Sequence, residues 1–578
     1  MTTKTRTGAD CVIEGLRQAG AEIIYGLPGG AVLDIFSKLY HADDMKLVLV
    51  RHEQGATHMA DGYARATGKV GVCLVTSGPG ATNAVTGLAT ACMDGIPMVC
   101  ISGQVPSHMI GNDAFQEADT TGITRAVTKH NYLVNSAADL PRIMAEAFHI
   151  ASTGKPGPVL IDIPKDIQRA ETTAPASAGA DLSGYRPVSG CNPEQVKQLA
   201  DAINAAERPL LYTGGGILAG NAASELTALA RKANIPVTTT LMGLGGFPET
   251  DPLALRMLGM HGTVTANRAV GECDLLISAG ARFDDRVTGK ISEFAPRAKK
   301  AHIDIDPSSI DKSVPVEIPV VGNVKDVLAA LIDQVEAREP TAWNEHLDEL
   351  QAQFPLAYDE STDELLPQYV IDMVYKVSGG DALIVTDVGQ HQMWAAHFFK
   401  YTEPRSFVTS GGLGTMGFGL PAGIGVQSAF PDRNVVVLSG DGSIQMCLQE
   451  LVVAVEHGWN VNTVILNNGH LGMVRQWQEM FYSKEYAGSV LKQEDRPANE
   501  KMPAPASDKF LPDFVKLAEA YGAVGVRVTK KEEVVPALEK AFSTNAPVVI
   551  ECIVREEENV YPMVPPGASL DEMICSMA

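Results

Sequence analysis

Gly440-Asp441-Gly442, followed one segment later by Asn467-Asn468, brings together a carboxylate, an amide oxygen and main-chain carbonyls in an order suited to a divalent metal and a diphosphate. These are hard oxygen donors, the kind magnesium accepts beside phosphate oxygens. Residues 434–439 read as a buried strand. Ile444, Cys447, Leu448, Leu451, Val452 and Val455 then recur at helical spacing, so the Gly-Asp-Gly segment is predicted to open a helix. The unpaired N–H groups and positive dipole of a helix start suit a phosphate anion. A second strand, 461–466, delivers Asn467 and Asn468 to the same sheet edge. In a chain with 54 glycines, Gly-Asp-Gly alone reads equally as a tight turn. The asparagine pair after one helix and one strand separates the two readings.

Far upstream, residues 46–50 read as a strand ending in Arg51-His52-Glu53, where a helix begins. Glu53 is therefore placed at the carboxyl end of a strand, where open α/β sheets hold ligands. Taken alone, a glutamate there is a solvated helix start favoured by the dipole. In the middle of the chain, Leu210-Leu211-Tyr212 runs into Gly214-Gly215-Gly216, and Leu275 to Ser278 runs into Gly280-Ala281-Arg282-Phe283-Asp284-Asp285-Arg286. Ile303 and Ile305 alternate with Asp304 and Asp306, as at a strand end that meets a ribose. Each of these loops alone is equally a glycine turn or a surface ion pair.

The elements that must position these residues follow a repeated order. At 578 residues the chain exceeds one core, and three domains are expected. Residues 171–193, rich in Ala, Ser, Gly and Pro, read as a linker. Helices around 326–339 run into Pro340 and a polar stretch to about 366, a second boundary. The expected units are 1–172, 193–340 and 367–578. Helices alternate with short apolar strands in the first unit, and the last unit repeats the pattern. The expectation is an α/β protein of three doubly wound, parallel-sheet domains.

With 45% hydrophobic residues and no apolar run of membrane-spanning length, the chain reads as a globular protein without membrane segments. No signal-type apolar stretch follows the first six residues, so a cytoplasmic location is expected. Nine scattered cysteines without a Cys-x-x-Cys pair predict buried reduced thiols rather than disulfides or zinc. The net charge of −23 argues against nucleic acid, and leaves anionic substrates to be captured by particular arginines and lysines.

Longer motifs give these pieces a common context. Arg51-His52-Glu53-Gln54-Gly55-Ala56, Ser77-Gly78-Pro79-Gly80-Ala81-Thr82-Asn83 and Gly111-Asn112-Asp113-Ala114-Phe115-Gln116-Glu117 occur in the first third. Thr386-Asp387-Val388-Gly389-Gln390-His391-Gln392, Gly411-Gly412-Leu413-Gly414-Thr415-Met416-Gly417 and Tyr561-Pro562-Met563-Val564-Pro565-Pro566-Gly567 occur in the last. In this order they resemble the catalytic large subunit of acetohydroxyacid synthase, also called acetolactate synthase, over nearly the whole chain. The Gly-Asp-Gly and Asn-Asn pair resembles the thiamin diphosphate motif of that wider enzyme family.

The resemblance implies thiamin diphosphate, Mg²⁺ and a flavin, FAD, without a net redox part. Asp441, Asn468 and the carbonyl of His470 would bind the metal. Gly440, Gly442, Ser443, Leu471, Gly472, Met473, Gln390, His391 and Gly414 would surround the thiamin cofactor, and Met416 would prop it in its bent form. Glu53 would activate its pyrimidine, with Pro28 and Asn83 nearby. For FAD the implied residues are Lys155, Gly214, Gly215, Gly216, Thr240, Leu241, Met260 and His261, then Gly280, Arg282, Asp284, Arg286, Asp304 and Ile305. Gly412-x-Gly414-x-x-Gly417 matches a dinucleotide fingerprint, but Met416 interrupts it, and it is set aside.

The implied reaction condenses decarboxylated pyruvate with a second 2-keto acid, pyruvate or 2-ketobutyrate. It gives 2-acetolactate or 2-aceto-2-hydroxybutyrate for valine, leucine and isoleucine synthesis. Arg286 would bind the second carboxylate; Met260, Phe115 and Trp477 would wall its alkyl group. Gln116 and Gly30 would flank the reacting carbonyl, and Lys165 the entrance. The family also implies a homodimer at least, with Glu53 and the diphosphate site from different subunits, and a small regulatory subunit. A thiamin- and FAD-dependent pyruvate oxidase or decarboxylase is the alternative, against which Arg282 to Arg286 and Trp477 argue. A non-catalytic paralogue is disfavoured by Glu53, Asp441 and Asn468. Three features depart from the family: Leu27 stands where many relatives have tyrosine, and Lys155 where arginine is usual. Residues 486–508 carry the additional charged stretch Lys492-Gln493-Glu494-Asp495-Arg496-Pro497, read as a lid insertion or a partner-binding element.

Overall fold

The structure, a computed structural model, describes residues 5–176, 179–492 and 512–576. Three six-stranded sheets, parallel throughout, follow one another along the chain. Most of the additional stretch at 486–508 lies outside the described residues.

The first sheet is built from β1 (Ile23–Gly26), β2 (Lys46–Leu49), β3 (Gly71–Val75), β4 (Met98–Gln104), β5 (His130–Leu133) and β6 (Pro158–Pro164), in the spatial order β2-β1-β3-β4-β6-β5. The central sheet uses β7 (Pro209–Thr213), β8 (Val237–Thr239), β9 (Ala254–Met257), β10 (Leu275–Ala279), β11 (Lys299–Asp304) and β12 (Ile318–Val321), ordered β9-β8-β7-β10-β11-β12. The third comprises β13 (Leu383–Thr386), β14 (Phe407–Val408), β15 (Val435–Gly440), β16 (Val461–Asn467), β17 (Val524–Val528) and β18 (Val548–Ile553), ordered β14-β13-β15-β16-β18-β17. The interior strands are runs of Val, Ile and Leu buried on both faces, as parallel sheets covered by helices require.

In each sheet the order reverses beside the first strand, and loops leaving neighbouring strands diverge there to open a crevice at their carboxyl ends. The crevices fall between β1 and β3, between β7 and β10, and between β13 and β15. Gly29-Gly30, Gly78-Pro79-Gly80, Gly214 to Gly216, Gly280, Gly389 and Gly440-Asp441-Gly442 each follow one of those strands, whereas Gly411 to Gly417 follows the edge strand β14. Five helices matter most for the site: α1 (Glu53–Thr67), α2 (Val85–Asp94), α3 (Gln390–Phe398), α4 (Gly419–Ala429) and α5 (Gly472–Phe481). Helices α1 and α4 join the first and third units in one apolar core that includes Met59, Ala60, Phe418 and Ala422.

One expectation is corrected. Gly440-Asp441-Gly442 does not open an α-helix: the chain makes two single 3₁₀ turns, Ile444–Met446 and Leu448–Glu450, before a helix at Leu451–His457. The Asp441 carbonyl that an α-helix would pair with the Gln445 N–H instead accepts from the Gln445 side-chain amide at 2.7 Å. Buried Ile444, Cys447 and Leu451 keep an apolar face through both kinds of turn, which is why their spacing resembled a helix. All nine cysteines are free, six of them buried. Among the described residues no helix is long and apolar enough to cross a membrane.

Candidate active site

The third crevice forms a cleft between β13 and β15. Its lining includes Gln390, His391, Met416, Gly440, Asp441, Gly442 and Ser443, and then Asn468, His470, Leu471, Gly472 and Met473. All were expected around a thiamin diphosphate; of the others expected there, Gly414, Glu53, Pro28 and Asn83 lie outside the lining. Positive potential for an anion comes from a source other than the one expected. Helices α3 and α5 both start at the cleft, and neither has a side-chain cap, so their first N–H groups are free. The sequence carried this signal in Gly389, just past a strand, and in Gly472, just past His470. Val388, Gly389, Trp394, Leu466 and Val474 complete the lining and were not anticipated.

The donor set fits a divalent cation. Among the described residues, buried Asp441 has only main-chain N–H partners; burial pushes its carboxyl up to about 7, a shift that a cation beside it would reverse. The Asn468 amide oxygen accepts from the His470 N–H at 3.1 Å, which folds 468–470 into a tight turn. His391 Nε2 is buried without a partner at the same cleft, and burial lowers its imidazole to about 3, so the ring is neutral. Gln390 locks the floor: its Nε2 donates to Gln476 Oε1 at 2.8 Å and to the Glu558 carbonyl at 2.9 Å.

Among the described residues, none of the first unit lines this cleft. Glu53 opens α1 after the His52 cap and is only 5% exposed rather than a solvated helix start. Its Oε2 accepts from Asn83 Nδ2 at 2.9 Å. A Cβ at Gly78 would lie 2.8 Å from the Gln116 carbonyl, so the Ser77–Asn83 and Gly111–Glu117 loops touch at one sheet edge. Glu117 closes the second loop by accepting from the N–H groups of Gly111 and Ala114. Phe115 projects from that loop, 89% exposed. Pro28 and Gly30 are exposed where the chain leaves β1, and Leu27 is half-buried against the core. Lys165 starts a short helix, Lys165–Arg169, after β6.

In the central unit, β7 and β10 flank the reversal, and Gly214 to Gly216 meets Gly280 there backbone to backbone. Among the described residues the Thr239 and Thr240 hydroxyls are buried without partners, groups that a dinucleotide could satisfy. Leu241 begins a 3₁₀ turn beside them, and its side chain approaches Gly411 of the third unit. Arg282 pairs with Asp284, whose Oδ1 accepts from the Arg286 N–H at 3.0 Å. Asp304 ends β11 and accepts from the Asp306 N–H, with Ile305 between them. Lys155 is exposed, and both it and Asp306 act electrostatically on Lys129. These features fit FAD.

Residues expected at the acceptor site converge from three parts of the sequence. The Arg286 guanidinium lies 5.7 Å from the centre of the Trp477 ring. The Met260 N–H donates to the Arg286 carbonyl at 2.7 Å, and the Met260 carbonyl accepts from the Val564 N–H at 2.8 Å. The buried His261 follows, its carbonyl accepting from the His397 ring. Phe115, almost wholly exposed, is not packed with this group.

Comparisons with known proteins agree with this arrangement. Residues 6–123 match the family "Thiamine pyrophosphate enzyme, N-terminal TPP binding domain", 196–331 the "central domain" and 387–552 the "C-terminal TPP binding domain". Fold and cleft thus define a thiamine pyrophosphate enzyme. The chain is 49% identical to the acetolactate synthase large subunit of Corynebacterium glutamicum over 97% of its length and 89% of the relative's. It is 46% identical to the large subunit of Haemophilus influenzae, covering 99% of both chains. With the isozyme 3 large subunit of Escherichia coli identity is 44%, over 98% of both. The chain belongs to the acetolactate synthase large-subunit family.

Proposed function

We propose that this enzyme is an acetolactate-forming carboligase, joining decarboxylated pyruvate to a second pyruvate or to 2-ketobutyrate in branched-chain amino acid synthesis. One observation carries the choice over an oxidase or simple decarboxylase. Helix α5 lines the diphosphate cleft with Gly472 and Met473 and, one turn later, carries Trp477 against Arg286. A cation beside an apolar wall next to the cofactor cleft is what a second keto acid needs, and what protonation or oxidation does not.

Bound thiamin diphosphate would supply an electron sink for decarboxylation. Asp441, Asn468 and the His470 carbonyl would hold Mg²⁺ against its diphosphate. Gly440, Gly442, Ser443 and Leu471 would lie along the diphosphate, and Gly414 close by. The Glu53 carboxyl would hold a proton at the far pyrimidine nitrogen, oriented by Asn83, with Pro28 alongside. Met416 would prop the ring. Gln116 and Gly30 would flank the keto carbon and Lys165 the entrance. Arg286 would bind the second carboxylate bidentately, while Trp477, Met260 and Phe115 shape the space for methyl or ethyl. The central unit would bind FAD as a structural group.

Because Glu53 and Phe115 stand outside the cleft of their own chain, a second copy would bring them to it, making a homodimer the smallest complete enzyme. The relatives are large subunits, which supports a small partner subunit here. The limits 1–172, 193–340 and 367–578 and a cytoplasmic setting belong to the same proposal. The deciding assay supplies pyruvate, thiamin diphosphate, Mg²⁺ and FAD and follows acetolactate and oxygen together. Acetolactate without oxygen uptake is expected; oxygen consumed without acetolactate would overturn the reading.

A further inference from the structure

The loop at 410–417 carries Met416 into the cleft of the third unit, yet much of its support comes from the first unit of the same chain. Asp94, the last residue of α2, has a side chain only 2% exposed. Its Oδ1 accepts from the Gly412 N–H at 2.7 Å and its Oδ2 from the Gly411 N–H at 3.2 Å. The same Oδ2 accepts from Arg65 Nη2 at 2.9 Å. Arg65, in the last turn of α1, also pairs with Asp61 and lies 5.3 Å from the centre of the Phe418 ring. One turn before Asp94, the Thr90 hydroxyl shares a 2.7 Å hydrogen bond with that of Thr415, next to Met416. The loop is therefore gripped at 411, 412, 415 and 418 by three residues of another unit. From its own unit, Asp387 accepts from the Gly417 N–H at 2.7 Å.

Stability alone is a weak reason for this arrangement. Two buried carboxylates face one guanidinium, and a buried ion cluster is often no better for stability than apolar packing. The second negative charge is matched by loop N–H groups, which fixes the loop's register. The opposite ends of the two helices lead to Glu53 and Asn83, which in the proposed homodimer would face the second copy's cleft. Helix α1 starts at Glu53 and ends near Arg65. Helix α2 starts two residues after Asn83, the partner of Glu53, and ends at Asp94.

We propose that Asp94, Arg65 and Thr90 are positioning residues that latch the 410–417 loop and so hold Met416 in place at the cleft of the third unit. This rests on the reading of Met416 as a cofactor contact, but the latch itself can be tested without cofactor. Amide hydrogen exchange on the cofactor-free protein should show faster exchange in Asp94→Asn within residues 410–418, because the amide presents N–H groups to donors.

In the loaded enzyme Asp94→Asn should lower kcat about 10- to 100-fold, as small misplacements can, with the KM for pyruvate nearly unchanged. The near-ultraviolet circular dichroism band of bound thiamin diphosphate should weaken. Combined with Met416→Ala, Asp94→Asn should cost little more than Met416→Ala alone. Should Asp94→Asn fail to fold, the uncharged pair decides: Thr90→Ser should behave as the parent, and Thr90→Val should show the faster exchange and lower kcat. Unchanged exchange together with unchanged kcat in the folded variants overturns the latch, as does full additivity with Met416→Ala. If the parent protein makes no acetolactate, the proposed function fails, and exchange in cofactor-free protein still decides the latch.

Discussion

The first and third sheets share a strand order, second-first-third-fourth-sixth-fifth, and their crevice loops nevertheless offer opposite surfaces. At the third sheet, two uncapped helix starts, a buried acid and an amide close around a cleft. At the first, a single buried acid, Glu53, sits with Asn83 among loops that stand open to solvent at Pro28, Gly30 and Phe115. Topology fixes where loops converge, and the residues on them decide whether that place can hold a charged ligand. On the proposed function, one unit is a receptacle and the other carries the reagent.

The sharpest way to break that contrast is at the reagent. Glu53→Gln keeps the size and the Asn83 contact but removes the carboxyl group. Acetolactate formation should fall by about 10²- to 10⁴-fold, the range for general acid–base groups, while cofactor binding measured by fluorescence titration stays close to the parent. At the receptacle, Asp441→Asn should reverse the pattern. The Mg²⁺ needed for half-maximal activity should rise by more than the ~10- to 100-fold typical of outer ligand partners. Chelation should then strip thiamin diphosphate far more readily than from the parent. Equal losses of cofactor affinity in both variants would erase the distinction.

A smaller effect is expected where the central and third units meet. Trp477→Leu removes the aromatic face beside Arg286, so the preference for 2-ketobutyrate over pyruvate in mixed-substrate product ratios should drop about tenfold, the scale of one hydrophobic contact. The smallest effect concerns the tie between the two compared units. Glu450, in the third unit, is wholly buried and accepts from the Arg51 N–H at 3.1 Å, just before Glu53. Burial pushes its carboxyl from an ordinary 4.5 to about 7. The folded state then binds a proton that the unfolded chain releases, so this group's contribution to stability falls as pH rises from about 4.5 through 7. Thermal melts of Glu450→Gln should vary less over that window than those of the parent.

Much of this was legible in the sequence, for identifiable reasons. Val435 to Leu438 is a run of buried β-branched and apolar residues, so its strand and the Asp441 that follows were readable from local pattern. Asp441 and Asn468 follow neighbouring strands, so element order implied their proximity, whereas His470 came only from the family resemblance. The helix expected after Gly442 failed because a side chain, Gln445, took the carbonyl that a helical N–H would use, and apolar spacing does not register such competition. The grip of Gln390 on Gln476 and Glu558, and of Asp94 on Gly411 and Gly412, joins residues far apart in the chain. No local periodicity encodes those contacts. Burial of Glu53 was likewise invisible, since a first-turn glutamate is ordinarily wet.

Helices α1 and α4 cross so closely that a methyl group at Gly62 would lie 2.2 Å from the Ala422 carbonyl oxygen, and one at Gly425 2.0 Å from that of Met59. A saturation library would therefore record these two glycines as no more forgiving than active-site residues. They would mark a seam where two structural units are pressed together, and a search for chemistry among the least tolerant positions would be misled there. Domain exchange between relatives would meet the same seam, and both sides of it would have to move as a pair.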